Sequence, residues 1–545
     1  MNSVVIVIIS LSIFLAGYKL YGSFMQKLWK VDFSKKTPAH LKRDNVDYVP
    51  VKHWTVLFGH HFASIAGAGP IIGPVIACAV FGWGPALLWI VFGSIFLGGV
   101  HDFSALMLSI RHEGNSVASV AKAVMGNRSK IIFALFLWLA LVLVVAVFAA
   151  VTAATLIAEP RVVIPTFGMI AVAFLVGILL YRLKISQLSA TLFGLILILV
   201  LIMIGFQYPL TLNFPQALTI WIVILMVYAY IASILPVQVL LQPRDYLSAF
   251  ILFFGLIAGY AGIIISHPPM RAPVFISFNT SQGPLWPMMF VIIACGAISG
   301  FHSLIASGTT SKQLHSKAAV KRVSYGAMIL EGVLSLLAVV SVCAGLYWIG
   351  GEVGLVYPTL MQEKGWIVAF STGYGQLVAP LIGASFGSAV AMVTLNTFVL
   401  TTLDSATRIN RYITEELFGD AFKIKIFKNR FASTALVALL ALWLALGNWQ
   451  AIWPIFGASN QLIAALVLII ASVYLFSIKR PAVYTLYPGI FMLITTIAAL
   501  IYQMVNFFQD QKYLLFVIAV VLLILALCIL IEADRVRRKV LSRKA

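Results

Sequence analysis

Phe58-Gly59-His60-His61-Phe62-Ala63-Ser64-Ile65-Ala66-Gly67-Ala68-Gly69-Pro70, continuing through Ile71-Ile72-Gly73-Pro74, is the stretch on which the reading of the fold turns. It is apolar enough to cross a bilayer, yet it holds two adjacent histidines and then a Gly-Ala-Gly-Pro interruption. Proline lacks an N–H and clashes with the turn before it, so a helix entering here should stop near Gly67 and restart after Pro70. In hydrocarbon the freed backbone groups survive only where protein or a watery cavity satisfies them. A broken helix with imidazoles at membrane depth therefore reads as a small polar site inside a bundle. A proline kink that serves packing alone is the competing reading.

The surrounding chain fixes the class. Of 545 residues, 62% are hydrophobic and 10% charged, with a mean hydropathy of +1.03. That much apolar surface does not fit a soluble fold, so the chain is expected to be an all-α, polytopic membrane bundle. Runs long enough to span about 30 Å of hydrocarbon fall near 4–24, 55–80, 85–110, 131–158, 162–181, 186–208, 216–240, 249–267, 288–308, 323–350, 372–405, 432–447, 450–477, 482–506 and 514–533, about 15 crossings. The first run lacks a basic region ahead of it, so it is expected to be a retained anchor helix. The expected organisation is one transmembrane unit over 1–545. It comprises an anchor and inner loop at 1–52, a first repeat with added helices at 53–267, a second repeat at 288–477, and accessory helices with a basic tail at 478–545.

The net charge of +20 belongs to this topology and not to nucleic-acid binding. With the N-terminus outside, the loops 25–54, 111–130, 182–185, 241–248, 309–322, 406–431 and 478–481, the tail from Asp534, and Lys19 hold 33 of the 37 Lys and Arg residues; Arg161, Arg271, Lys364 and Lys512 are left outside. So one-sided a distribution is the positive-inside pattern, with the C-terminus cytoplasmic and anionic lipid as a partner surface. The proline-dense outer loop 267–287 is expected to be stiff, either a lid or a plain connector. The four cysteines lack CxxC spacing and read as small core residues.

Gly300-x-His302 followed by Gly308 repeats the spacing of Gly59-x-His61 followed by Gly67, and the two segments run in opposite directions in this topology. Paired interrupted helices of opposite orientation are the sequence hint of an inverted-repeat transporter, with substrate near the breaks. A second break is expected at Gly308-Thr309-Thr310. The acidic residues inside crossings are Asp102, Glu331 and Asp404, and each costs at least about 2.5–3.5 kcal/mol at membrane depth, so each is a functional candidate. By helix rise Asp102 sits about 13 Å from Arg111, Glu331 about 13 Å from Arg322, His60 about 12 Å from Lys52 and His302 about 15 Å from Lys312. Imidazoles and carboxylates thus share one layer. Asp404 is shallower, and pairing with Arg408 at i+4 is its expected role.

Walker, His-Glu-x-x-His and Gly-x-Ser-x-Gly motifs are absent, so neither ATP-driven pumping nor a recognisable hydrolase is expected. His60 and His61, being adjacent, cannot share one helical face as paired metal ligands do. A metal site assembled in three dimensions from His60, His101, Asp102 and His302 is the remaining metal reading.

The run from His60 to Pro74, the Gly-Gly-Val-His101-Asp102-Phe block, Ala306-Ser307-Gly308-Thr309-Thr310-Ser311-Lys312-Gln313 and Thr401-Thr402-Leu403-Asp404-Ser405-Ala406-Thr407-Arg408 together resemble the carbon starvation protein A family over roughly residues 50–480. The resemblance implies uptake of pyruvate or small peptides, proton symport in some members, and the amino-acid–polyamine–organocation fold. The chain is shorter than many members beyond the last matched block. The resulting expectation is a bacterial inner-membrane transporter, not an enzyme. It imports a small carboxylate, pyruvate first and short peptide second, with no cofactor and with a proton or else sodium as coupling ion. Substrate contacts are expected at His61, Ser64, Gly67, Ala68, Gly69, Gly308, Thr309 and Thr310. Proton handling or gating is expected at His60, His101, Asp102, His302, Glu331 and Asp404. An intramembrane metal-dependent enzyme and a nutrient sensor are the rival classes.

Overall fold

The computed structural model describes residues 2–44, 48–51, 53–236, 240–447 and 449–542. Lys52, the end of the expected seventh crossing at 237–239 and the tail 543–545 lie outside the described residues. The long helices are α1 (Ser3–Leu28), α2 (Trp54–Ile65), α3 (Gly69–Phe81), α4 (Trp83–Arg111), α5 (Asn127–Ala158), α6 (Val163–Tyr181), α7 (Gln187–Gln207), α8 (Ala217–Ile234) and α9 (Leu241–Ser266). There follow α10 (285–292), α11 (301–313), α12 (Lys317–Gly345), α13 (Gly365–Ile382), α14 (Ala384–Thr414), α15 (Arg430–Leu446), α16 (Trp449–Ser477), α17 (Val483–Gln509) and α18 (Tyr513–Ser542). Among the described residues, 12 helices are long and apolar enough to span a bilayer, and 13 when the bent pair α2–α3 is one span. Two more of the expected crossings, the interrupted α10–α11 segment and the shorter α15, do not reach that length as single helices.

Burial separates a core from a periphery. The most apolar windows of α12, α14 and α16 are each 89% buried, whereas those of α7 and α18 are 33% buried and face the surroundings. The central helices carry most of the hydroxyl, amide and charged side chains, and the peripheral ones present Leu, Ile, Val and Phe outward, as lipid-facing helices do.

The first break forms where the sequence places it. α2 ends at Ile65, Ala66 to Ala68 unwind, and α3 restarts at Gly69 with Pro70 in its first turn, where a missing N–H costs nothing. The two halves are bent by 44°. The second break does not fall at Gly308–Thr310. Residues 293–300 are the non-helical ones, and 306–310 continue the helix through a wide π turn. The reason is local. No proline interrupts 301–313, and the hydroxyls of Ser307, Thr309 and Ser311 donate to the carbonyls four residues back at 2.8, 3.1 and 3.2 Å, keeping the backbone satisfied as helix. The matched glycine–histidine spacings are therefore not the repeat symmetry itself.

Two further expectations are corrected. The segment 372–405 is not one crossing: Gly383 at φ 79° reverses the chain, leaving α13 and α14 as a tight hairpin. The loop 241–248 is the first two turns of α9, with Arg244 1% and Asp245 0% exposed.

The loops assigned to one side do gather at one end. There Arg111 reaches Tyr474 Oη at 3.2 Å, Lys42 meets Glu113 at 2.6 Å and Lys130 meets Glu416 at 3.7 Å. At the opposite end Ser3 Oγ donates to Pro268 O at 2.6 Å, and the backbone N–H of Arg271 donates to Cys343 O at 2.7 Å. The 267–287 loop is a strap rather than a free linker. It is pinned to α1 at Pro268 and to the α3–α4 corner through Ile276 N–H to Phe81 O (3.1 Å) and Gly84 N–H to Val274 O (2.8 Å).

Candidate substrate and coupling site

The two breaks meet. Built on Gly73, a Cβ would overlap the carbonyl oxygen of Ile292, and built on Gly300 it would overlap that of Asn460, so only glycine permits these backbones to approach so closely. Pro70 of the first break faces Gly296 of the second, and Cys295 lies against Gly69. α14 closes the third side: Thr402 Oγ1 donates to Ser64 O at 3.3 Å and lies beside Gly67. Asn460 of α16 caps the restarting helix, its Oδ1 accepting from Phe301 N–H at 2.8 Å while its backbone carbonyl accepts from Gly300 N–H at 3.0 Å. Sequence reading passed over Asn460. Its signal was a polar Ser459-Asn460-Gln461 run inside an apolar crossing.

Beside the breaks lies a chain of fully buried ionisable groups. His101 Nδ1 and His302 Nδ1 each lie 2.8 Å from Asp102, on Oδ1 and Oδ2 respectively, and His302 Nε2 lies 3.0 Å from Glu331 Oε2. An ionised carboxylate only accepts, so Asp102 sets both imidazoles with Nδ1–H toward it. Two arrangements then satisfy the His302–Glu331 pair: imidazolium facing carboxylate, or neutral imidazole accepting from a carboxylic acid. They differ in the place of one proton. The pair is close but poorly aligned as a hydrogen bond, and both Glu331 oxygens lack a hydrogen-bond partner among the described residues. His61 joins α2 to α11 through Nδ1 and Thr310 Oγ1 at 2.7 Å, and His61 Nε2 and Ser64 Oγ likewise lack one.

A second network runs from the other histidine. His60 Nδ1 lies 2.8 Å from Asp245 Oδ2, Asp245 Oδ1 takes a 3.3 Å bond from Arg244, and Arg244 also pairs with Asp404, whose Oδ2 accepts from Tyr228 Oη at 2.8 Å. Asp404 is thus not the partner of Arg408, which donates instead to Ala232 O at 2.7 Å and Leu235 O at 2.5 Å. The i+4 spacing allowed the Asp404–Arg408 bridge, but a fully buried guanidinium from α9 is the nearer cation. Adjacent His60 and His61 point to different faces of α2, and each serves a separate network.

The expected substrate residues therefore split into groups. Ser64, Gly67, Ala68 and Gly69 sit at the meeting of the breaks. Thr309 and Thr310 face His60 and His61, with Thr309 Oγ1 3.4 Å from His60 Nε2. Gly308 faces Ile409 and lines a separate cavity of about 280 Å³ with Ser307, Lys312 and Tyr412 toward the basic end. Among the described residues no three His, Cys, Asp or Glu side chains are grouped to hold a metal ion.

The sequence profile described as "Carbon starvation protein CstA" matches residues 2–349 and 353–499. A Bacillus subtilis protein called peptide transporter CstA is 33% identical over 98% of this chain and 96% of its own length. An Escherichia coli protein called pyruvate/proton symporter BtsT is 30% identical over 91% of this chain and 81% of its own. Among solved structures, a manganese transporter of Eremococcus coleocola superposes with a TM-score of 0.50 at 17% identity, over 91% of this chain and 99% of that one. MhsT in complex with L-phenylalanine gives 0.50 at 12% identity, over 89% and 99%. The two structural likenesses show that this all-α bundle with its two interrupted helices shares the overall fold of those transporters.

Proposed function

This chain belongs to the carbon starvation protein CstA family, and on that premise we propose that it imports a small carboxylate nutrient, pyruvate first, by proton symport across a bacterial inner membrane. The observation that carries the reading is the meeting of two interrupted helices beside the buried His101–Asp102–His302–Glu331 chain. The N–H groups opening α3 at Ala68 and Gly69 belong to a first turn, where donors lack intrahelical partners and the helix dipole favours an anion. A substrate carboxylate held there lies next to groups that take and release a proton. Imported charge and proton move together when substrate binding favours one of the two His302–Glu331 arrangements.

A short peptide is the second reading. The B. subtilis relative carries that name, and Glu331, with no hydrogen bond to either oxygen among the described residues, suits a peptide amine. Sodium is the alternative coupling ion. No cofactor enters the mechanism, and a hydrolytic role is not proposed, since every group named here binds or moves protons. The basic end faces the cytoplasm by the positive-inside rule, which places the N-terminus outside and the C-terminus inside. Labelled-pyruvate uptake into proteoliposomes, under imposed proton or sodium gradients and with competing dipeptides, tests the whole reading. Accumulation driven by a proton gradient and blocked by excess pyruvate supports it, and uptake indifferent to both gradients ends the symport claim. Stoichiometric zinc or iron in the purified protein would favour the rival enzyme.

A further inference from the structure

A large cavity lies away from the breaks. It is a groove of about 700 Å³ between α1, α2, α9 and α12, opening to the lipid-facing side. Its walls are apolar, with Phe14 from α1, Phe58 from α2, Phe253 from α9 and Val333 from α12. At the basic end the chemistry changes. Arg322 lines the groove with its guanidinium 5.1 Å from the Trp54 ring, and Lys321 beside it places Nζ 4.7 Å from the Tyr18 ring and 3.0 Å from Ser23 Oγ. Neither cation has a carboxylate partner among the described residues; rings and a hydroxyl are what they touch. From Arg322 to Val333 the groove follows α12 for about 16 Å.

We propose that this groove holds one anionic glycerophospholipid, its head group on Lys321 and Arg322 and an acyl chain along Phe14, Phe58, Phe253 and Val333. Charge complementarity selects the occupant: an apolar trough ending in two uncompensated cations fits a lipid with a negative head group, and basic pockets between helices at the positively charged face of a membrane protein recognise such lipids. The position gives the lipid a consequence. Phe58 and Gly59, which line the groove, directly precede His60 and His61 on α2, and Gly59 abuts Ala249 of α9 closely enough that a Cβ would come within 3.3 Å. The lipid thus backs the half-helix that carries both histidines, and its loss frees that half-helix to tilt away from α12.

The test is lipid retention by native mass spectrometry on the full chain released from nanodiscs of equal phosphatidylglycerol and phosphatidylcholine. The wild-type protein should retain phosphatidylglycerol in roughly tenfold or greater preference, the discrimination two cations near an anionic head group supply. K321Q/R322Q should erase the preference. L330W, which fills the trough from α12 and leaves both cations, should lower retention of either lipid about as strongly. Equal retention of the two lipids by the wild type overturns the proposal, as does undiminished phosphatidylglycerol binding in both variants. Because the readout is bound lipid, it is independent of which substrate is carried.

Discussion

One proton between His302 and Glu331 is the smallest element of the proposed coupling, and the side chains around it can be tested singly. Asp102→Asn replaces an acceptor that orients two imidazoles by an amide that can also donate, so the Nδ1–H tautomers lose their template. This variant and His302→Gln should still exchange labelled pyruvate down its gradient but no longer accumulate it against one. Full proton-driven accumulation by both would remove the pair from the mechanism. Asn460→Ala removes the cap of α11 and should lower stability by about 1 kcal/mol, read as a drop in unfolding midpoint; Asn460→Asp, which puts a carboxylate at membrane depth and loses the amide donor to Ser299, should not recover it. Sequence reading found His61, His101, Asp102, His302 and Glu331 because charge is rare in apolar segments. It passed over Asp245 and Arg244, which Pro243 beside them disguised as a loop.

Elements matter through how closely they approach. At Gly73 the backbone of α3 touches the backbone of the second break, and a carbonyl cannot rotate aside as a side-chain tip can. Gly73→Val should therefore separate the two breaks, with a stability loss of about 1–3 kcal/mol from overpacking and abolished uptake. Uptake at the wild-type rate by well-folded Gly73→Val protein would show that the breaks need not touch. The α9–α14 link is tested at Arg244. Arg244→Leu leaves Asp404 and Asp245 buried without a guanidinium and should cost about 3–5 kcal/mol, whereas Arg244→Lys should retain part of it. Thermal unfolding in detergent measures both.

For the whole molecule the telling quantity is sidedness. A cysteine at Ser281 in the strap should react with an impermeant maleimide in intact cells. One at Ser34 should react only after permeabilisation. The reverse pattern would invert the topology. The sequence by itself determined the membrane class, the grouping of basic loops at one end and the first break, because hydropathy, charge bias and proline act locally and need no partner. Tertiary structure alone decided that Asp404 pairs with Arg244 and not Arg408, and that His60 and His61 serve different networks. Those outcomes depend on which backbone and which buried charge lie nearest in space, a competition between segments from 160 to 185 residues apart that no local pattern records.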